Sequence, residues 1–186
     1  MSAIRLANRY AKSILQLAIE KGELENVHND MQLLNIATDE SRDFYLMLKS
    51  PVIHADKKMD IIHTIFSDKI GKITTSFLDI LVRKGREGYL PEVIDVFIEL
   101  YNRHKGITPV VLTTAVEASD SLIEEVKERL RQSAGLQTIE MKTKVDEKLI
   151  GGYILRYEDK QIDTSIARGL AILKDEFDNN DYIRKF

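Results

Sequence analysis

Four histidines are the first side chains in this sequence that suggest chemistry: His28, His54, His63 and His104. No two of them have the i and i+4 spacing with which a helix presents a pair of zinc ligands. His63 lies within one turn of Asp60, which is the spacing of an ordinary surface pair on a helix. The chain contains no cysteine, which excludes disulfides, thiolate metal sites and a cysteine nucleophile. These residues therefore predict neither a metal centre nor a cofactor.

Asp163 and Ser165 are the next candidates, since they would form a catalytic triad with a distant histidine. The sequence around Ser165 lacks the strand-turn-helix signature of a nucleophile elbow. Ser165 instead suits the first turn of a last helix, and Asp163 suits the cap just before it. The pair Gly151-Gly152 does not belong to a phosphate-binding loop, but it permits a bulge or a close backbone approach. We therefore predict a protein that is not an enzyme.

Charge and hydrophobicity narrow the class of partner. The 186 residues include 27 basic and 30 acidic side chains, a formal net charge of -3, which argues against nucleic acid as the main partner. No apolar run approaches the roughly 18 residues of a membrane span, so we expect any membrane association to be indirect. The first 20 residues resemble an organellar transit peptide, with arginines and no acid before Glu20. We interpret them as a first structural helix.

Glycine and proline are scarce, with nine and three residues respectively, which indicates few turns and long elements. Hydrophobic periodicity predicts six helices in the first part of the chain, at about 3–21, 24–39, 42–49, 55–66, 72–84 and 90–105. After Gly106 it predicts strands near 110–112, 139–145 and 153–157, and helices near 119–134 and 164–177. We predict a mainly α chain with a small α/β part, divided into a helical domain (1–105) and a mixed domain (106–186).

Three of the predicted helices have apolar arcs wider than a single core contact requires. The arc covers about 220° of the first helix and about 200° of the fifth, and the sixth is about as wide. A helix that faces one core needs a stripe of only about 100° or a little more. Such a helix either offers a groove to a partner helix or lies at the centre of a bundle. Arc width alone does not decide between these two interpretations.

Several ordered segments resemble one protein family. The N-terminal segments are Arg9-Tyr10-Ala11-Lys12, Leu48-Lys49-Ser50-Pro51-Val52-Ile53 and Phe77-Leu78-Asp79-Ile80-Leu81-Val82-Arg83-Lys84-Gly85-Arg86. The most specific segment runs from Asp146 through Gly151-Gly152 to Arg156, followed by Asp163-Thr164-Ser165-Ile166. Over essentially the whole chain, the sequence resembles the delta subunit of the rotary (F-type) ATP synthase and the oligomycin-sensitivity-conferring protein. It departs from that family at Tyr157-Glu158-Asp159, where a glycine-containing turn is common.

The resemblance implies a non-catalytic stator subunit of the peripheral stalk. In that family an N-terminal six-helix bundle caps the catalytic head, and a groove between its first and fifth helices receives the N-terminal helix of an alpha subunit. The C-terminal domain, a small mixed β-sheet with two helices, holds the ends of the b subunits. Together these contacts keep proton translocation coupled to ATP synthesis. The implied location is peripheral, at the cytoplasmic face of a bacterial plasma (inner) membrane, with the organellar equivalent as the alternative.

The resemblance also suggests site residues. We expect the alpha-subunit helix to contact residues of the first and fifth helices, namely Ala7, Tyr10, Ala11, Ile14, Phe77 and Leu81. On this interpretation Ala11→Trp blocks the groove and leaves the fold intact. We expect an architectural role for the family-signature residues, namely Asp146, Gly151, Gly152, Asp163 and Ser165. The competing hypothesis is a helical adaptor that binds partner helices outside the ATP synthase.

Overall fold

The computed structural model describes residues 3–66, 69–136 and 138–178. The chain separates into two compact units, and the division falls between His104 and Lys105. The first unit is helical. Its α-helices are α1 (Ala3–Lys21), α2 (Leu24–Glu40), α3 (Arg42–Lys49), α4 (Ala55–Phe66), α5 (Lys72–Arg83) and α6 (Leu90–Lys105), with a 3-10 turn at Glu87–Tyr89.

Small residues on α1 allow the other helices to pack closely against it. Ala7, Ala11 and Ala18 are buried and follow one another at helical spacing, together with Leu6 and Ile14. Alanine has the highest helix propensity and adds little volume, so the same residues favour the helix and permit a close approach. The core of the first unit therefore runs along this face of α1.

Asp30 of α2 fixes the beginning of α5. The N-cap of α5 is Gly71, which has no side chain to satisfy the free backbone N–H groups of the first turn. The Asp30 Oδ2 atom accepts a hydrogen bond from the Gly71 N–H (2.9 Å) and another from the Thr74 hydroxyl (2.5 Å). A carboxylate at a helix N-terminus also interacts favourably with the helix dipole. Asp30 thus supplies from α2 the cap that α5 lacks.

A buried ion pair joins α4 to the 3-10 turn before α6. The Lys58 side chain is almost fully buried, and its Nζ donates to Glu87 Oε1 (2.6 Å) and to the Leu48 carbonyl oxygen (3.0 Å). A buried ammonium group is tolerated when a carboxylate and further acceptors satisfy it. This contact holds three separate segments of the first unit together.

The second unit contains a mixed four-stranded sheet and two helices. Its elements are β1 (Ile107–Thr114), α7 (Asp120–Ala134), β2 (Thr138–Val145), β3 (Tyr153–Tyr157), β4 (Lys160–Asp163) and α8 (Ile166–Asp178), with a 3-10 turn at Glu147–Leu149. The strand order is β2-β1-β3-β4. β1 is parallel to β2 and antiparallel to β3, which is antiparallel to β4. The described chain is thus mainly helical with a small mixed sheet, which confirms the predicted fold class at that level.

The helix α7 packs on one face of this sheet. Val126 and Leu130 of α7 join a buried cluster with Val110 and Leu112 of β1 and with β3. The register explains the cluster, because Val110 lies opposite Tyr157 and Leu112 lies opposite Leu155. A helix that connects two parallel strands of one sheet in this way is a crossover connection.

The short strand β4 was not predicted from the sequence. It contains Ile162 as its only apolar residue, so it lacks the alternation that identified β2. A hairpin nevertheless joins β3 to β4, and Glu158 in its turn has a φ of 49°. The hairpin therefore forms although a glycine is absent from Tyr157-Glu158-Asp159.

Candidate functional site

An apolar groove of about 480 Å³ lies between α1 and α5. Its α1 side is formed by Tyr10, Ser13, Ile14, Leu17 and Lys21, and its α5 side by Lys72, Ile73, Ser76, Phe77 and Ile80. Each set contains residues three and four positions apart along its helix, so each set forms one continuous face. A groove with a helix on each side and an apolar floor has the shape that receives an amphipathic helix.

The structure brings three of the six predicted contact residues to the groove. Tyr10, Ile14 and Phe77 line it, and the rings of Tyr10 and Phe77 meet edge to face with centroids 6.3 Å apart. Ile14 and Phe77 are largely buried and form the floor, whereas Tyr10 is half-buried.

The other three predicted residues belong to the core. Ala7, Ala11 and Leu81 are buried, with Ala11 0% exposed, and they do not line the groove. The expectation that Ala11→Trp leaves the fold intact does not fit this position, because an indole at a fully buried alanine overpacks the core. The arc of α1 is wide enough to serve the core and the groove, and the alanines lie on its core side.

Exposed apolar side chains show which wide arcs are not covered. Leu17 is 40% exposed and Ile80 is 50% exposed, although both belong to the apolar arcs of their helices. No large hydrophobic side chain of α6, which is described over its full length, is exposed. The wide arc of α6 is thus covered, and those of α1 and α5 are open in part. Exposure thus distinguishes α6 from α1 and α5, which arc width alone did not.

The more exposed apolar residues of the groove and its polar residues were not among the predicted contact residues. The unnamed lining residues are Ser13, Leu17, Lys21, Lys72, Ile73, Ser76 and Ile80. A signal existed for Leu17, Ile73 and Ile80, since all three lie in the apolar arcs. No pattern indicated the serines and lysines, because their place depends on the angle at which α1 meets α5.

The pair Gly151-Gly152 packs against the beginning of α8. A Cβ atom on Gly152 would collide with the Thr164 carbonyl oxygen and lie 3.0 Å from the Ser165 Cα. A Cβ atom on Gly151 would lie 2.7 Å from the Ile166 Cδ1. The Gly151 carbonyl oxygen accepts a hydrogen bond from the Ile166 N–H (3.0 Å). These contacts support an architectural role for both glycines.

The signature side chains of Asp146, Asp163 and Ser165 bond to neighbouring backbone groups. Asp146 Oδ1 accepts from the Lys148 N–H (3.1 Å) and Asp163 Oδ1 from the Ser165 N–H (2.9 Å). Hydrogen bonds from Ser165 hold the pKa of Asp163 below its usual range. The Ser165 hydroxyl accepts from the Arg168 N–H (3.2 Å), which makes Ser165 the cap of α8. The predicted cap at Asp163 is therefore two residues too early, since the helix begins at Ile166.

His63, one of the four histidines that first suggested chemistry, makes an ordinary structural contact. His63 pairs with Asp79 of α5 (2.9 Å) rather than with Asp60 on its own helix. Within residues 3–66, 69–136 and 138–178, no cluster of three or more His, Asp or Glu side chains is placed to hold a metal ion. In the same ranges, no helix has the length and apolar character that crossing a membrane requires.

The second unit carries its own uncovered apolar surface on α8. Ile166, Leu170, Leu173 and Phe177 follow one another at intervals of four, three and four residues, and each is at least 50% exposed. That spacing places all four on one stripe of the helix. An exposed apolar stripe of this kind marks an interaction surface.

Comparison with known proteins gives a consistent assignment. Residues 6–177 match the family model of the ATP synthase delta (OSCP) subunit. The ATP synthase subunit delta of Christiangramia forsetii is 36% identical over 185 residues, covering all of both chains. That of Amoebophilus asiaticus is 34% identical over 181 residues, covering 97% of this chain and 98% of the relative.

A solved structure shares the fold. It is a chain in the cryo-EM structure of the Toxoplasma gondii mitochondrial ATP synthase hexamer, with a TM-score of 0.73 and 23% identity. The match covers 92% of this chain and 97% of that chain. The family match spans both units and the relatives are similar along their whole length. The chain therefore belongs to the ATP synthase delta (OSCP) subunit family, whose members are structural rather than catalytic subunits of the ATP synthase.

Proposed function

We propose that this delta subunit is a stator that links the N-terminal helix of an alpha subunit to the b subunits of the peripheral stalk. Residues 1–105 act as a six-helix bundle that holds the alpha-subunit helix, and residues 106–186 hold the b subunits. This linkage keeps the catalytic head from turning with the rotor, so that proton translocation remains coupled to ATP synthesis. The subunit lies at the cytoplasmic face of a bacterial plasma membrane and reaches the membrane only through other subunits.

The groove between α1 and α5 is the observation that carries the alpha-subunit contact. Ile80 is half exposed at its wall, while Ile14 and Phe77 lie beneath as an apolar floor. Burying such side chains under an amphipathic helix is favourable by about 25 cal/mol for each Å² of apolar surface. The open surface therefore suits a partner helix that the ATP synthase supplies.

The apolar stripe of α8 supports the b-subunit contact. Its residues from Ile166 to Phe177 cover about 16 Å along the helix axis, which matches about three turns of a partner helix. The stripe lies in the second unit and the groove in the first, so each partner has its own surface. A linker between two partners needs two such surfaces and no reactive side chain.

Titrating the purified subunit with two synthetic peptides tests this function. One is the N-terminal segment of the alpha subunit from the same organism, and the other is the C-terminal segment of its b subunit. We expect Ile80→Asp to weaken binding of the alpha peptide and to leave binding of the b peptide unchanged, because it puts a charge into an apolar wall of the groove. Ile36→Asp is the matched control, since Ile36 is a 54% exposed isoleucine outside the groove.

The same logic applies to the second peptide. Leu173→Asp should weaken binding of the b peptide and leave binding of the alpha peptide unchanged. Ala171→Asp provides the control, because Ala171 lies about 160° from Leu173 around α8. Binding of neither peptide to the folded wild-type subunit would contradict the proposal. Equal effects of the site variants and their controls would show that the peptides bind elsewhere.

A further inference from the structure

The charged residues that line the groove are both lysines. Lys21 is the last lining residue of α1 and Lys72 is the first lining residue of α5. Both side chains are exposed, and within the described residues neither forms an ion pair. No acidic side chain lines the groove. The groove therefore combines an apolar floor with unneutralised positive charge.

Both lysines lie toward the same end of the groove. Only Gly22 and Glu23 separate α1 from α2, so these helices run antiparallel as neighbours. Asp30 lies about 9 Å along α2 from that turn and is therefore beside the C-terminal half of α1. Because Asp30 binds the Gly71 N–H at the start of α5, the N-terminus of α5 lies beside the same half of α1.

The contact between Tyr10 and Phe77 agrees with this direction, since it places a later part of α5 beside an earlier part of α1. The two helices thus run antiparallel along the groove. Lys21 and Lys72 close one end, and Tyr10 and Ile80 lie farther along. The positive charge is therefore concentrated at one end and not spread over the groove.

We propose that this groove selects an amphipathic helix with aspartate or glutamate at the end that meets Lys21 and Lys72. The inference rests on the proposed function and adds to it the charge and the register of the alpha-subunit helix. The apolar floor supplies most of the affinity, because it removes apolar surface from water. The lysines repel helices that would place a positive charge at that end. They also determine the direction in which the partner helix lies along the groove.

The expected effect is modest and depends on salt. An exposed ion pair is worth about 0.2–1 kcal/mol, so two pairs together change the dissociation constant by about 2-fold to 30-fold. At 0.5 M salt most of this contribution should disappear, because the Debye length falls below about 5 Å. Affinity that comes from the apolar floor should persist.

Fluorescence anisotropy with two labelled peptides tests the inference. One is the N-terminal segment of the organism's own alpha subunit, and the other is the same peptide with each Asp and Glu replaced by Asn and Gln. At 50 mM NaCl we expect the wild-type subunit to bind the acidic peptide about 2-fold to 30-fold more tightly than the amide copy. The double variant Lys21→Glu/Lys72→Glu should reverse this preference.

Lys57→Glu/Lys84→Glu is the matched control, because it makes the same change in net charge at two exposed lysines outside the groove. We expect it to retain the preference for the acidic peptide, with circular dichroism showing that both double variants are folded. Equal binding of the two peptides by the wild-type subunit would overturn the charge selection and leave the proposed function standing. Binding of neither peptide would overturn both.

Discussion

Replacing Gly152 with alanine should destabilise the second unit, because the structure leaves no room for a side chain at this position. Gly152 has a φ of 73°, in the left-handed region that alanine disfavours. The added Cβ would also collide with the backbone carbonyl of Thr164 and come within 3.0 Å of the Ser165 Cα. Both obstacles are backbone atoms, so a rotamer change cannot relieve the collision.

Gly135 provides a control that separates these two effects. It has a φ of 68° at the end of α7, and a Cβ atom there meets no other atom within 4 Å. Gly135→Ala should therefore lower the free energy of unfolding by only the left-handed cost, about 1–2 kcal/mol. Gly152→Ala carries the same left-handed cost and an overpacking cost of about 1–3 kcal/mol. We therefore expect it to lower the free energy of unfolding by about 2–5 kcal/mol in all.

Urea denaturation followed by circular dichroism measures both changes, and hydrogen exchange locates them. The amides to follow are Thr164, which donates to the Tyr153 carbonyl (3.0 Å), and Ile166, which donates to the Gly151 carbonyl (3.0 Å). We expect Gly152→Ala to reduce their protection first, while amides of the first unit remain unchanged. A loss of stability in Gly152→Ala no greater than in Gly135→Ala would refute the steric argument.

Three further predictions concern the first unit. Glu87→Met leaves the buried Lys58 ammonium without its carboxylate and should cost about 3 kcal/mol in urea denaturation, part of which Lys58→Met/Glu87→Met should recover. Asp30→Ala removes the cap of α5 and should cost about 2–4 kcal/mol, with Asp30→Asn intermediate and exchange of the Gly71 amide faster in both. Burial, together with the hydrogen bond to Glu25, raises the pKa of Tyr101 to about 12. The stability from that phenol should be complete below pH 10 and fall toward pH 12, and ultraviolet titration of Tyr101→Phe should lack the last tyrosine to ionise.

Periodicity predicted the long elements because each buries one face. Residues 3–21 were predicted as a helix from their apolar spacing, and α1 spans Ala3–Lys21. The alternation at Ile139, Met141 and Thr143 predicted β2 for the same reason. The strand β4 was missed because a four-residue edge strand with one apolar residue carries too little pattern.

The groove could be predicted only in part. Wide apolar arcs indicated helices with two apolar sides, but the sequence does not state which side meets the core. Ala11 and Ile80 show the difficulty. Ala11 was among the expected contacts of the partner helix and Ile80 was not, whereas the structure buries Ala11 and leaves Ile80 half exposed at the groove. The answer depends on how neighbouring helices pack, which single-helix periodicity does not contain.

The cap of α8 was predicted at Asp163, two residues before the observed cap at Ser165, for a related reason. Asp163 and Ser165 both suit an N-cap, and propensity does not separate them. The choice follows from the Gly151 carbonyl, which binds the Ile166 N–H and sets where the helix begins. A contact distant in sequence thus decided a local boundary.

Mapping the alpha-subunit peptide on the subunit by ¹⁵N-¹H correlation spectroscopy tests the central claim most directly. On titration, we expect the largest chemical-shift changes at the amides of residues 10–21 and 72–80, and small changes throughout the second unit. That pattern would locate the peptide between α1 and α5 without any substitution. Shift changes confined to other surfaces, or none at saturating peptide, would contradict the assignment of this groove to the alpha subunit.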